Sequence, residues 1–320
     1  MKFPPKAAVV LAMLITTSAT FAQEYPSKPI RIVVPLSAGS LTDTLIRLMA
    51  VKMGATLGTP MIVENLPGAA GIVGTVSAAK APPDGYTMLV AAASSFSVNP
   101  HVNRSLPYDP LKDFAPICRF GGATNVLAVT PSLGVKSVAE LLLKAKDGSV
   151  SFASAGVGTT SHLAQELFKS KVSASFLHVP YKGTAQAVTD TVAGHSQVIF
   201  DTPGPLIAQI QSGKLIPLAV MSSHRSASLP NVPTFEELGY PGLTLQGWSA
   251  LVAPARTPAA VVSRLAQACQ AAVASPDFQE QARSRGFDID FAGPSEFGAF
   301  IVSELPKWGK LVKLAGIKPE

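Results

Sequence analysis

The sequence predicts an α/β fold in two lobes, each a mixed, mostly parallel sheet flanked by helices. Three observations carry this. Residues 30–53 read as strand, loop and helix, because Ile30, Ile32, Val33 and Val34 form a continuous apolar run and Leu41, Leu45, Leu48, Met49 and Lys52 then recur at helical steps. The same unit returns in the second half of the chain, at residues 150–170. At 320 residues with 47% hydrophobic and 14% charged side chains, the chain exceeds one typical domain and has ample core material.

Residues 1–22 stand apart. Lys2 and Lys6 precede or interrupt the start of an unbroken apolar run from Ala7 to Ile15, and Ser18, Ala19, Thr20 and Ala22 are small residues before a cut expected after Ala22. The run is too short to span a bilayer, so the pattern is that of an export signal and the mature chain is expected in the periplasm. The remaining chain is expected to divide into residues 23–122 plus 247–320 as one lobe and 123–246 as the other.

The opening strand ends at Pro35, which has no N–H to donate. The loop after it gathers Ser37, Ala38, Gly39, Ser40, Thr42 and Asp43 at the strand's carboxyl edge, where the first amides of a helix lack acceptors and the helix dipole is positive. That place suits an anion. A capping role for Ser40 or Thr42, with Asp43 steadying the first turn, accounts for the same residues.

Residues 59–63 make a second strand, and the glycine-spaced stretch from Asn65 to Thr75 lets a helix start close to it without forming a dinucleotide fingerprint. Residues 87–93 make a third, ending in the hydroxyls of Ser94, Ser95 and Ser97. Strands follow at 114–120 and 126–129, with Gly121 and Gly122 expected where the chain crosses between lobes.

After a helix opened by Ser137 comes the second informative unit. Its strand leads into Ser154, Ala155, Gly156, Val157, Gly158 and Thr159, then a helix carrying His162. Two such loops, one per lobe, are expected to face each other across a cleft. Strands at 176–179, 197–200 and 215–220 complete this lobe; Asp201 sits at the end of the second, and Thr234 is expected to cap a short helix. A second crossing near 241–248 returns a strand to the first lobe, and two helices follow, the last holding Pro306 near its middle.

Composition excludes several function classes. The net charge of +6 includes the two lysines of residues 1–22 and is otherwise scattered, so nucleic acid is not an expected partner. No metal or cofactor motif occurs. Cys118 and Cys269 are the only cysteines, and without knowing their separation they read as two buried, inert thiols.

Ser154, His162 and Asp201 are the ingredients of a hydrolase triad, but Phe152 stands where a nucleophile elbow needs its first glycine, and His162 lies at a helix start that weakens it as a base. No enzyme activity is expected. Asp201 beside an anion site would repel the anion, unless it orients a donor or meets a cationic group of the ligand.

The ordered motifs from Val34 to Asp43, from Val63 to Gly68, Asp84-Gly85-Tyr86, from Leu106 to Pro110, from Val179 to Gly183 and Lys307-Trp308-Gly309-Lys310 resemble the tripartite tricarboxylate transporter receptors, also called Bug receptors. The resemblance implies a Venus-flytrap, periplasmic-binding-protein fold with a hinged central cleft. It implies a small carboxylate ligand held by the loops from Ser37 to Asp43 and from Ser154 to His162, and delivery to integral membrane permease subunits. A monomer is expected, and the same receptor could serve signalling instead of uptake. Leu36 replaces the phenylalanine usual in the family's first loop and Ser40 its second glycine; the first removes an aromatic wall and the second adds a hydroxyl, so a ligand more polar than the family's average is expected.

Overall fold

In the computed structural model, residues 25–172 and 174–319 are described, so the expected export signal at residues 1–22 lies outside the described residues. The chain begins with β1 (Ile30–Val34), α1 (Leu41–Leu57), β2 (Met61–Asn65), α2 (Ile72–Ala79) and β3 (Thr87–Ala92). A turn of π-helix at Ser94–Val98 and α3 (Asn99–Val102) follow, then β4 (Phe114–Thr124) and β5 (Val126–Val129). Next come α4 (Val138–Lys144), β6 (Ser151–Ser154), α5 (Thr160–Lys171), β7 (Leu177–Pro180), α6 (Thr184–Val192), β8 (Val198–Asp201), α7 (Pro203–Gln211) and β9 (Ile216–Val220). The chain closes with β10 (Gln246–Pro254), α8 (Ala259–Val273), α9 (Pro276–Ser284) and α10 (Pro294–Leu314).

These strands form two five-stranded sheets with matching plans. The first has the order β2-β1-β3-β10-β4, with β1 parallel to both neighbours and β10 antiparallel to both of its own. The second has the order β7-β6-β8-β5-β9, with β6 parallel to its neighbours and β5 antiparallel to its own. In each, a strand entering from the other sheet inserts beside a parallel unit. This is why β1 is apolar at four of its five positions and why β6 is buried along its length, Ser151 and Ser154 included.

The sheets are joined by adjacent strands. Gly121 and Gly122, expected at a crossing, instead lie inside β4 opposite Ser249 and Trp248, and the chain changes sheet at Asn125. A Cβ on Gly122 would collide with the Gly247 carbonyl, so the close pairing of β4 and β10 requires glycine there. The Asn125 side chain donates to the Leu245 carbonyl, tying the outgoing strand to the returning one.

One hydrophobic cluster runs between the sheets, from Leu89 and Phe96 through Trp248 to Phe152, Phe168 and Trp308. In α1 the buried stripe is Leu45, Ile46, Met49, Met53 and Leu57, while Lys52 turns outward to pair with Asp277 at 2.6 Å. The two cysteines are not free thiols. Cys118 on β4 and Cys269 on α8 form a disulfide with Cα atoms 6.7 Å apart, because α8 packs directly over β4. The helix expected after Thr234 is absent; Thr234 and Glu237 exchange the bonds of a capping box around a turn.

Candidate functional site

Both predicted loops sit at strand carboxyl ends and both open helices. Ser40 caps α1 by accepting from the Asp43 amide at 3.2 Å, and Thr159 caps α5 by accepting from the His162 amide at 3.3 Å. A cap satisfies the third amide and leaves the first two without an acceptor. Those residues are Leu41 and Thr42 on one side, Thr160 and Ser161 on the other. All four line a single cleft of about 410 Å³ between the two sheets, within the size range of small-molecule sites.

Of the expected contacts, Ser40, Ala155, Thr159 and Asp201 line this cleft. Leu36, Ser37, Ala38, Gly39, Asp43, Ser95, Ser154, Gly156, Gly158 and His162 do not line it. Several of their amides are bonded within their own loops, while Ser37 and Ala38 are exposed away from the cleft. The Gly39 amide donates to Asp43 Oδ2 at 2.8 Å, and the Ala155 amide to Ser161 Oγ at 3.2 Å. The Gly156 amide donates to Ser154 Oγ at 3.3 Å, and the Gly158 amide to His162 Nδ1 at 3.2 Å.

Asp43 is 2% exposed and holds the first loop together. Besides Gly39 it accepts from Asn65 Nδ2 at 2.9 Å and Arg47 Nε at 3.1 Å. Burial alone would raise its pKa. The donors outweigh that and keep the carboxyl below the usual range. Ser95 is likewise internal, bonded to the amide and carbonyl of Ala92, while its neighbour Ser94 reaches the cleft.

In the second loop, Ser154 Oγ lies 2.7 Å from His178 Nε2 and not on His162. His162 is 5% exposed and stacks on His178. Burial lowers the pKa of His162; burial and then the neighbouring His162 push His178 down to about 4. Asp201 makes its hydrogen bonds to Thr202. Ser154, His162 and Asp201 therefore form no relay. Among the described residues no cluster of His, Cys, Asp or Glu is arranged to hold a metal ion.

Sequence reasoning missed much of the wall. Ala123 of β4 and Gly247, Trp248 and Ser249 of β10 form its floor, and Phe287 closes one side. Thr184 and Thr202, at the starts of α6 and α7, add hydroxyls. The signal for the last two was the same as for the main loops, a strand end followed by a helix; the floor had no local signal. Among the described residues Asp201 is the single ionisable one lining the cleft, and no Lys or Arg lines it.

A cleft between two such sheets, walled by helix starts and hydroxyls, defines a two-lobed solute-binding protein. The family model described as tripartite tricarboxylate transporter family receptor matches residues 45–317, and the chain belongs to that family. It is 34% identical over 300 residues to the protein BugT of Bordetella pertussis (strain Tohama I), across 93% of this chain and 92% of that one. A structure from R. palustris with adipate is similar at TM-score 0.81 and 31% identity, over 92% of this chain and 100% of that one. MatC from Rhodopseudomonas palustris with bound malate is similar at TM-score 0.75 and 27% identity, over 90% and 100%. Among the described residues no helix is long and apolar enough to cross a membrane.

Proposed function

We propose that this protein captures a small organic carboxylate in the cleft and hands it, unaltered, to the integral membrane subunits of a tripartite transporter. The observation that carries the reading is the convergence of two helix starts, Leu41-Thr42 and Thr160-Ser161, on one cleft that no basic side chain among the described residues lines. Amides and dipoles hold an anion there without a counter-ion. The adipate and malate in the two similar structures support the ligand class.

Residues 23–122 plus 247–320 and residues 123–246 act as the lobes, with β4 and β10 as the connection on which they close. Closure presents a different surface to the membrane partner. The chain acts as a monomeric receptor and not as an enzyme; the pairing of Ser154 with His178 in place of His162 supports this. The reading of residues 1–22 as an export signal supports a periplasmic location.

Micromolar binding requires about −8.2 kcal/mol. Four charge-assisted hydrogen bonds at roughly 1.5–3 kcal/mol each supply that before ordering costs. The test is a thermal-shift panel of mono-, di- and tricarboxylates on the mature chain, with mass spectrometry of each incubated compound. Stabilisation by carboxylates without product is expected. Conversion of any bound compound, or stabilisation by none of them, overturns the reading.

A further inference from the structure

The carboxylate of Asp201 is the one feature of the cleft that an anion site by itself does not explain. Asp201 is 6% exposed and ends β8 on the cleft wall. Its Oδ1 accepts the Thr202 amide at 2.7 Å. Among the described residues its Oδ2 is buried with no hydrogen-bond partner, and the Thr184 hydroxyl on the same wall favours the ionised form.

Among the described residues no basic side chain lines the cleft to neutralise it. A buried carboxylate oxygen without a donor carries a desolvation penalty, and a bound carboxylate adds repulsion. A donor on the ligand removes the penalty and sets an attraction against the repulsion.

We propose that Asp201 selects carboxylates that also carry a hydroxyl or ammonium group, with Oδ2 accepting from that donor while the starts of α1 and α5 hold the carboxylate. The inference rests on the carboxylate reading above and narrows it to hydroxy and amino acids over their unsubstituted counterparts. A site built around a buried acceptor rejects the ligand that lacks the matching donor, because the acceptor is then stranded. Asp201 is thus a specificity residue, with the two helix starts supplying the common grip.

The converse arrangement, a protonated Asp201 donating to an unsubstituted second carboxylate, makes the opposite prediction on both ligand preference and pH. Burial raises the Asp201 pKa to about 6. With Asp201 as acceptor, affinity for the donor-bearing acid weakens as pH falls below that value. With Asp201 as donor it strengthens.

The experiment is calorimetric titration of the mature protein, at pH 7.5 and pH 5, with three pairs: malate and succinate, aspartate and succinate, lactate and propionate. Wild type, Asp201→Asn and Asp201→Ala are compared, each with its melting temperature. The donor-bearing member of at least one pair is expected to bind wild type about tenfold tighter or more at pH 7.5, less so at pH 5. Asp201→Ala is expected to abolish that ratio, and Asp201→Asn to keep part of a hydroxyl preference while losing an ammonium preference. Equal binding within every pair, tighter binding of the unsubstituted acid, or a ratio that survives Asp201→Ala overturns the inference and leaves the carboxylate reading standing. The wild-type comparison decides the matter even if a variant fails to fold. Binding of no carboxylate in any arm overturns both.

Discussion

The imidazoles of His162 and His178 stack with ring centroids 4.3 Å apart and planes 8° from parallel. His162 accepts the Gly158 amide and His178 meets Ser154 Oγ, so the pair anchors both ends of the second cleft loop. Both rings work as drawn only when at least largely neutral. A protonated His162 Nδ1 has no lone pair for Gly158, and two stacked cations repel. Glu166 and Lys169, the charged groups facing the pair, act in opposite directions on both rings.

The folded pKa of His178 lies near 4, below its unfolded value of 6.5, so the unfolded state binds more protons in between. Its contribution to stability is complete above pH 6.5 and is lost as pH falls through the folded value. The gap in denaturant midpoint between wild type and His178→Gln is therefore expected to be widest above pH 6.5 and to narrow towards pH 4. A gap that stays constant or widens on acidification contradicts the assignment.

Asp201 runs the other way. Its folded pKa of about 6 exceeds the ordinary 3.8, so the native state holds the extra proton between them and stability falls as pH rises through that window. Asp201→Asn removes this contribution. The variant is expected to gain melting temperature over wild type as pH rises from 4 to 6.5, and to hold that gain above it. No change in the difference with pH would show that the carboxyl titrates normally.

Asp43→Ala strands the Gly39 amide, Asn65 and Arg47 at once. A loss of about 2–3 kcal/mol in unfolding free energy is expected from hydrogen bonds to a buried charge, with ligand affinity falling moderately because the loop loosens. Urea denaturation and calorimetry on the same preparation separate the two effects. Complete loss of binding with unchanged stability would instead mean direct contact with the ligand.

Gly156 has φ of +128°, and a Cβ there would sit 3.0 Å from the Tyr181 carbonyl oxygen. Gly156→Asp forces the second loop away from its position and adds a like charge near the anion. Carboxylate binding is expected to disappear while stability drops by about 1–3 kcal/mol, the usual cost of a strained backbone. Unchanged affinity would separate this loop from the binding surface.

The disulfide links residues 151 positions apart and fastens α8 to β4, and neither cysteine lines the cleft. Reduction, or Cys118→Ser with Cys269→Ser, is expected to cost about 2–4 kcal/mol by freeing the unfolded chain. Affinity at 25 °C should change little, as titration of the reduced protein will show.

The local rules of the chain were enough for the α/β alternation, the two loop-and-helix units and the caps Ser40 and Ser137, because each depends on neighbours within a few residues; the cap at Thr159 was not read from them. They were enough also for the family resemblance, carried by short motifs in fixed order. Tertiary structure alone decided which residues face the cleft. The amides of Gly39, Gly156 and Gly158 are bonded locally to Asp43, Ser154 and His162, but only the packing of the two sheets brings the starts of α1 and α5 onto one cleft. It alone decided the floor formed by Ala123, Gly247 and Trp248, and the joining of Cys118 to Cys269. Those depend on β10 leaving one sheet and inserting between β3 and β4 of the other, a pairing between segments more than a hundred residues apart that no local pattern encodes.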